Sequence, residues 1–368
     1  MTFEKSDYQE HTQHMRKYET MEGFPEIKGY NFEEKFDFDK FIESFKYMGI
    51  QATNLGMAID IINQMIDDNR QDIKENALEN STEPKTKIFF SCTSNMVSSG
   101  NREIIKFLVK NKYVHVLSIS AGGVEEDIIK TLRPFVVGTF DIAGRALFDK
   151  GVGRIGNIFA PFDRYLYFEK FMNPFFDRIY EIQKSRNIPL TPSEFIFELG
   201  RELEIQNVAN KEDSILYWTY KNNIPIFCPA LTDGSMGDLS YFQKQKKKDF
   251  MIDIVGDHKK IVDIVLNSEK TGAIILGGGV SKHYVLNANI FREGLDYAVY
   301  ITTAQEYDAS DSGGNQQEAI TWAKIKVNAP NVKVRAEASL VFPIVVAATF
   351  KKIYEKYNIV NGNKSANI

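Results

Sequence analysis

Cysteine is nearly missing from this chain: Cys92 and Cys228 are its two thiols in 368 residues. They share no CxxC spacing, which excludes a disulfide framework and leads us to expect a reducing, cytoplasmic setting. Histidine is scarce as well. His11, His14, His115, His258 and His283 have no zinc-like spacing, so no metal is expected. The longest apolar run, Ser339–Phe350, is too short for a bilayer and contains Pro343. The charged start of the sequence lacks the apolar stretch of a secretory signal. Positive charge is not in excess either. Lys and Arg number 45 against 49 Asp and Glu, a net charge of −4, which gives no field for nucleic acid but tolerates a cationic substrate. We therefore expect neither a nucleic-acid nor a membrane partner.

What is present fits a globular protein, with 43% hydrophobic and 26% charged residues. Residues 1–30 are charged and weakly patterned and are expected to form an N-terminal arm, with 31–368 as one large domain. Apolar residues recur at helical spacing from Phe38 to Met65, and the polar stretch Asp67–Lys87 reads as a loop. A unit then repeats six times: an apolar strand, a Gly/Ser/Asp-rich loop, a helix. Its strands are Lys87–Thr93, Val114–Ser120, Ile224–Cys228, Ala273–Leu276, Tyr297–Ile301 and Val332–Arg335. The pattern predicts an α/β fold, Rossmann-like, with a largely parallel sheet and helices on both faces, plus the N-terminal helical arm. Between Thr139 and Lys221 lies a less regular insertion, mostly helical over Lys170–Glu204. In such a fold the loops after the strands gather at one edge, where ligands bind.

The unusual residues sit in those loops. Gly277–Gly279 and Ala121–Gly123 allow close backbone approach to a phosphate. Together with Ser94, Asn95 and Ser98 they point to a dinucleotide, although neither is the GxGxxG fingerprint. Glu337, after the last strand, suits either a ribose hydroxyl or a helix cap. A further loop is acidic, with Glu306, Asp308 and Asp311, followed by Glu318; Asp233 and Asp238 come from another. Clustered carboxylates need a cation. Tyr300 and Trp322 beside them favour an organic amine with methylene segments over a metal. The helix after the acidic loop carries Lys324, which forms an imine with a carbonyl-level carbon if it sheds its proton.

Several ordered motifs resemble the deoxyhypusine synthase family: Gly277–Asn289, Tyr297–Glu306, Ser310–Gly313, Glu318–Lys324, Thr93–Asn95, Ala121–Asp127, Arg154–Asn157, Pro229–Ser235 and Ala338–Pro343. The likeness runs from about Tyr30 to Phe350. It implies that NAD oxidises spermidine and that the aminobutyl part passes to an enzyme lysine as an imine. The group then moves to a lysine of the eukaryotic initiation factor 5A precursor and is reduced there. On this resemblance Lys324 is the imine-forming residue, with His283 beside it in catalysis. Asp238, Asp311, Glu318, Trp322, Asn287, Tyr300 and Ser235 match the polyamine pocket. Ser94, Asn95, Ser98, Ala121, Gly122, Glu126, Asp233, Gly277, Gly278, Thr303, Ala304, Asp308, Ser310 and Glu337 match the NAD site. The family is a homotetramer, a dimer of dimers with active sites at subunit interfaces, and its N-terminal arm can cover a neighbour's entrance.

Three residues depart from the family pattern. Ala323 replaces a glycine, Glu337 stands where aspartate is usual, and Ser120 replaces a threonine. Other readings stay open: a homospermidine synthase acting on putrescine, a non-catalytic activating subunit, or a nicotinamide dehydrogenase that releases its product.

Overall fold

A computed structural model describes residues 23–75 and 83–356. Among them nine strands follow in chain order: β1 (Thr86–Cys92), β2 (Val116–Ile119), β3 (Val136–Val137), β4 (Val152–Ile155), β5 (Ile158–Pro161), β6 (Ile226–Phe227), β7 (Lys270–Leu276), β8 (Tyr297–Thr302) and β9 (Asn331–Arg335). Six of them form one parallel sheet in the order β6-β2-β1-β7-β8-β9. From central β1 the chain builds outward through β2 and β6 on one side, then through β7, β8 and β9 on the other. That reversal opens a crevice at the carboxyl ends of β1 and β7, the binding position of doubly wound sheets. The expected α/β architecture is thus present.

β1 shows why the sheet lies in the middle. Alternate side chains point to opposite faces, and both faces are covered. Ile88, Phe90 and Cys92 join the core that contains Ile62, Leu117 and Phe342. Phe89 joins a second core with Val116, Ile275, Val285 and Tyr300.

The N-terminal helical run divides into Phe38–Met48 and Ile50–Glu75, broken at Gly49 with φ 85°. The second helix continues to Glu75, where the sequence suggested a loop from Asp67. Its polar residues have partners on the sheet. Asp68 Oδ2 accepts from Thr86 Oγ1 at 2.8 Å and from Lys270 Nζ and Tyr297 Oη at 3.0 Å each. Asn69 exchanges two hydrogen bonds with the Thr86 backbone. Most of the expected arm, residues 1–22, lies outside the described residues.

The antiparallel sheet β3-β5-β4 starts just ahead of the insertion, at Val136, and has its other two strands within it. Helices Asp163–Arg186, Pro192–Ile205 and Ile215–Asn222 follow. Buried Asp127 anchors the insertion to the sheet layer. Its carboxylate accepts from Arg102 Nε at 2.7 Å and from the Ile215 and Leu216 backbone N–H groups at 3.0 Å each. Among the described residues no helix is long and apolar enough to cross a membrane.

Candidate active site

Lys324 is not on a helix. The helix Gln316–Thr321 ends before it, and Trp322 is the C-cap. Ala323 then takes a left-handed φ of 52°. Its N–H donates to Ile320 O at 3.0 Å, and the Lys324 N–H donates to Ala319 O at 2.9 Å. This pair of bonds is a Schellman motif. A glycine would be unstrained here, and the Ala323 methyl group costs about 1 kcal/mol. Beyond the cap, Leu295 N–H donates to Lys324 O at 3.0 Å and Lys326 N–H to Leu295 O at 3.1 Å. The lysine is therefore fixed between a helix end and the segment leading into β8.

Its side chain reaches the helix Gly279–Asn289, which follows β7. Lys324 Nζ lies 3.2 Å from His283 Nε2. The Trp322 ring centroid is 6.0 Å from the same nitrogen, and Trp322 itself is 65% exposed, so one side of the site stands open. An ammonium has only donors, so a charged Lys324 requires neutral His283 to accept.

Under this pair lies a buried group that sequence reasoning only partly found. Lys282 is buried and donates to Asp311 O at 2.5 Å and Gly314 O at 2.9 Å. Its ammonium sits 4.9 Å from the Tyr300 ring centroid. Burial pushes its pKa down, against the charge of Asp311. Tyr300 Oη and Asp311 Oδ2 are both buried and have no hydrogen-bond partner among the described residues. Such orphaned atoms are uncommon and call for a ligand or water. Burial, then the charges of Asp311 and Glu318, raises the Tyr300 phenol far above its usual range, so it keeps its proton. The Glu318 backbone is capped by the Asn315 side chain at 3.0 Å. Asn287 follows His283 by one helical turn and is half-buried.

A second group forms the other wall. Ser94 N–H donates to Ser120 Oγ at 2.8 Å, and the Ser98 hydroxyl donates to Glu126. Asn95 opens the short helix Asn95–Ser98. Lys130 Nζ donates to the carbonyls of Val97, Ser98 and Ser99 at 2.7–2.9 Å. Ala121 and Gly122 lie inside the helix Ala121–Leu132 rather than in a loop before it. Burial raises Glu126 to about 7, opposed by the Ser98 hydroxyl and reinforced by neighbouring Glu125. Glu125, not singled out from sequence, is also raised by burial and accepts from Met236 N–H at 2.9 Å. Asp233 and Asp238 act on it electrostatically, and Ser235 opens the helix Ser235–Lys246 that carries Asp238. Among the described residues Asp238 makes no hydrogen bond or ion pair with Lys324 or His283, which pair with each other.

Between the walls, the β7 loop meets the acidic loop closely. A Cβ on Gly278 would lie 2.4 Å from Ser312 Cα, so only glycine fits. Gly277 N–H donates to Ile301 O at 2.9 Å. Thr303 and Ala304 leave the end of β8. Asp308 Oδ1 accepts from Ser310 N–H at 2.8 Å, which lowers that carboxyl. Glu337 caps the helix Ala338–Ala348, taking the Leu340 N–H at 3.0 Å and the Ser339 hydroxyl, both on Oε2.

A doubly wound sheet with a glycine-bearing crevice at its switch point and a lysine–histidine pair over it defines a Rossmann-like α/β protein with a lysine-centred site. The deoxyhypusine synthase family model matches residues 40–349. A protein of Dictyostelium discoideum, named a probable deoxyhypusine synthase, is 46% identical over 343 residues, covering 92% of this chain and 90% of its own. The deoxyhypusine synthase of Musa acuminata is 45% identical over 347 residues, with 91% and 90% covered. A crystal structure assigned as deoxyhypusine synthase from Entamoeba histolytica superposes with a TM-score of 0.60 at 33% identity, covering 88% of this chain and 97% of that one. The chain belongs to the deoxyhypusine synthase family.

Proposed function

We propose that this chain moves the 4-aminobutyl group of spermidine, through an imine on Lys324, to a lysine of the eukaryotic initiation factor 5A precursor in the cytoplasm. The observation that carries this reading is the 3.2 Å Lys324–His283 pair standing beside the orphaned Tyr300 and Asp311 atoms. A polyamine ammonium supplies the charge and the N–H donors that those atoms lack. His283 Nε2 is placed to take the Lys324 proton, so that the free amine can attack. Trp322 and Tyr300 flank the methylene segments.

The residues of the crevice suit NAD. Gly278 leaves no room for a side chain, and Gly122 packs so closely that a Cβ would lie 3.0 Å from Ser94 Cβ. These glycines let the loops of the crevice pack closely on one another, as the packing glycine of a dinucleotide-binding fold does. Ser94, Asn95, Ser98, Ala121, Gly122, Gly277 and Gly278 would hold it from the strand loops. Glu126, Asp233, Asp308 and Ser310, with Thr303, Ala304 and the open Oε1 of Glu337, would reach its riboses and amide. When bound, NAD would accept a hydride from the carbon beside the secondary amine of spermidine and later return one.

The split between Asp238 and the Lys324 group, together with exposed Trp322, supports a homotetramer in which two chains complete each site. The exposed apolar side chains Val137, Phe140, Phe148 and Leu166 offer contact surface.

Borohydride trapping with NAD and spermidine, read by mass spectrometry, tests the central step. The expected product is a four-carbon amine adduct on Lys324. Full turnover with Lys324 unmodified would assign the imine elsewhere. Parallel assays with putrescine and factor 5A precursor decide the acceptor.

A further inference from the structure

Lys282 is 3% exposed, yet among the described residues its ammonium makes no ion pair. It spends its donors on two backbone carbonyls, those of Asp311 and Gly314. The nearby carboxylate of Asp311 keeps a buried oxygen without a partner among the described residues. An ammonium and a carboxylate this near would ordinarily pair. Lys333, on β9, repeats the arrangement from another direction. Its Nζ donates to Gly313 O at 2.6 Å and lies 3.5 Å from Glu306 Oε2. Two lysines from separate elements thus draw the carbonyls of Asp311, Gly313 and Gly314 down toward the protein. Close packing beneath the loop reinforces this: a Cβ on Gly313 would lie 1.7 Å from Gln305 O.

We propose that Lys282 and Lys333 are positioning residues, a two-lysine clamp on the backbone of Asp311–Gly314 that holds the Asp311 carboxylate unpartnered for the ammonium of the substrate. The inference rests on the polyamine reading above. It assigns these lysines no contact with substrate. Lys282 adjoins His283 in one helical turn, so one segment carries both the clamp and the partner of Lys324. Losing the clamp lets Asp311 relax toward protein or water partners. Substrate binding then weakens more than the chemical step.

The test compares Lys282→Met, Lys333→Met and Lys282→Arg with wild type, each alone and with Asp311→Asn. The readouts are KM and kcat for spermidine and the yield of trapped Lys324 adduct at saturating spermidine. Each Met variant is expected to raise KM roughly tenfold while kcat stays within about threefold. Lys282→Arg, which keeps charge and donors, is expected to recover most of the loss. In the Asp311→Asn background the Met substitutions should add less than about twofold, because the residues act through one carboxylate. A fall in kcat with unchanged KM overturns the proposal, as do effects that multiply fully with Asp311→Asn. If Lys282→Met does not fold, as judged by circular dichroism, Lys333→Met decides the question. Failure of the wild type to give any Lys324 adduct would sink the functional reading instead. Wild-type trapping with unaltered KM in the variants would sink the clamp alone.

Discussion

The two walls of the crevice use similar side chains to different ends. On the β1 and β2 side, Ser94, Ser98, Glu125 and Glu126 already have partners, although the buried hydroxyls of Ser91 and Ser118 on the strands themselves have none among the described residues. Ser94 holds Ser120, Ser98 holds Glu126, Lys130 closes a helix end, and Glu125 caps another segment. On the β7 and β8 side, the Tyr300 hydroxyl and one Asp311 oxygen have no partner among the described residues, and Trp322 faces solvent. Loops whose polar groups are already held within the protein suit a ligand that must be kept in one place through a reaction. A wall with gaps in its hydrogen bonding suits a ligand that arrives, reacts and leaves. The electrostatics agree. Burial pushes Glu125 and Glu126 toward their neutral forms. The open wall instead places the acids Asp311 and Glu318 beside a lysine.

This contrast can be broken most severely at the amine proposed to react, that of Lys324. Lys324→Arg should lower kcat by at least about a thousandfold, because a guanidinium does not form the imine. Its melting temperature should stay near that of wild type, and a retained rate would refute the covalent route. His283→Ala comes next, with an expected loss of about a hundredfold in kcat and a smaller change in KM. A KM effect alone would make His283 a binding group instead.

On the closed wall the measurement is stability against pH. Glu126 is held at about 7, against 4.5 in an open chain. Between those values the folded protein keeps a proton that the unfolded chain has lost. Stability contributed by this group therefore falls as pH rises from about 4.5 to about 7, and is level above. Glu126→Gln should flatten that slope and add about 2 kcal/mol at pH 8, as urea titrations at pH 5 and 8 would show. An unchanged slope would mean that the wall does not hold this carboxyl neutral. The smallest effect is expected at the cap. Ala323→Gly relieves a left-handed alanine but frees the unfolded chain, so a gain of less than about 1 kcal/mol should appear in thermal unfolding. A clear destabilisation would show that the methyl group makes contacts beyond the cap.

The sheet was legible in the sequence because each strand is a short apolar run followed by loop-forming residues, so period and punctuation agreed. The crevice followed from that, as did the residues of the acidic loop. The position of Lys324 did not. An alanine in a left-handed cap leaves no mark in a helical pattern, and the helix was read as continuing through it. Asp68 and Asn69 looked like loop residues because their partners, Thr86, Lys270 and Tyr297, are distant in sequence or lie on the sheet. Lys282 was visible beside His283, but a helical lysine reads as solvated until the loop above it is known. Glu337 suited a ribose contact or a cap from sequence, and the fold gives it the cap while one oxygen remains free.

A lysine within a helix has its backbone held by the helical ladder alone. Lys324 instead hangs on a tie between the last turn of one short helix and Leu295 ahead of β8. With its own N–H and C=O both bound, the backbone stays still and the rotamers of the long side chain alone set the reach of the amine, which suits the proposed passage from a donor to an acceptor.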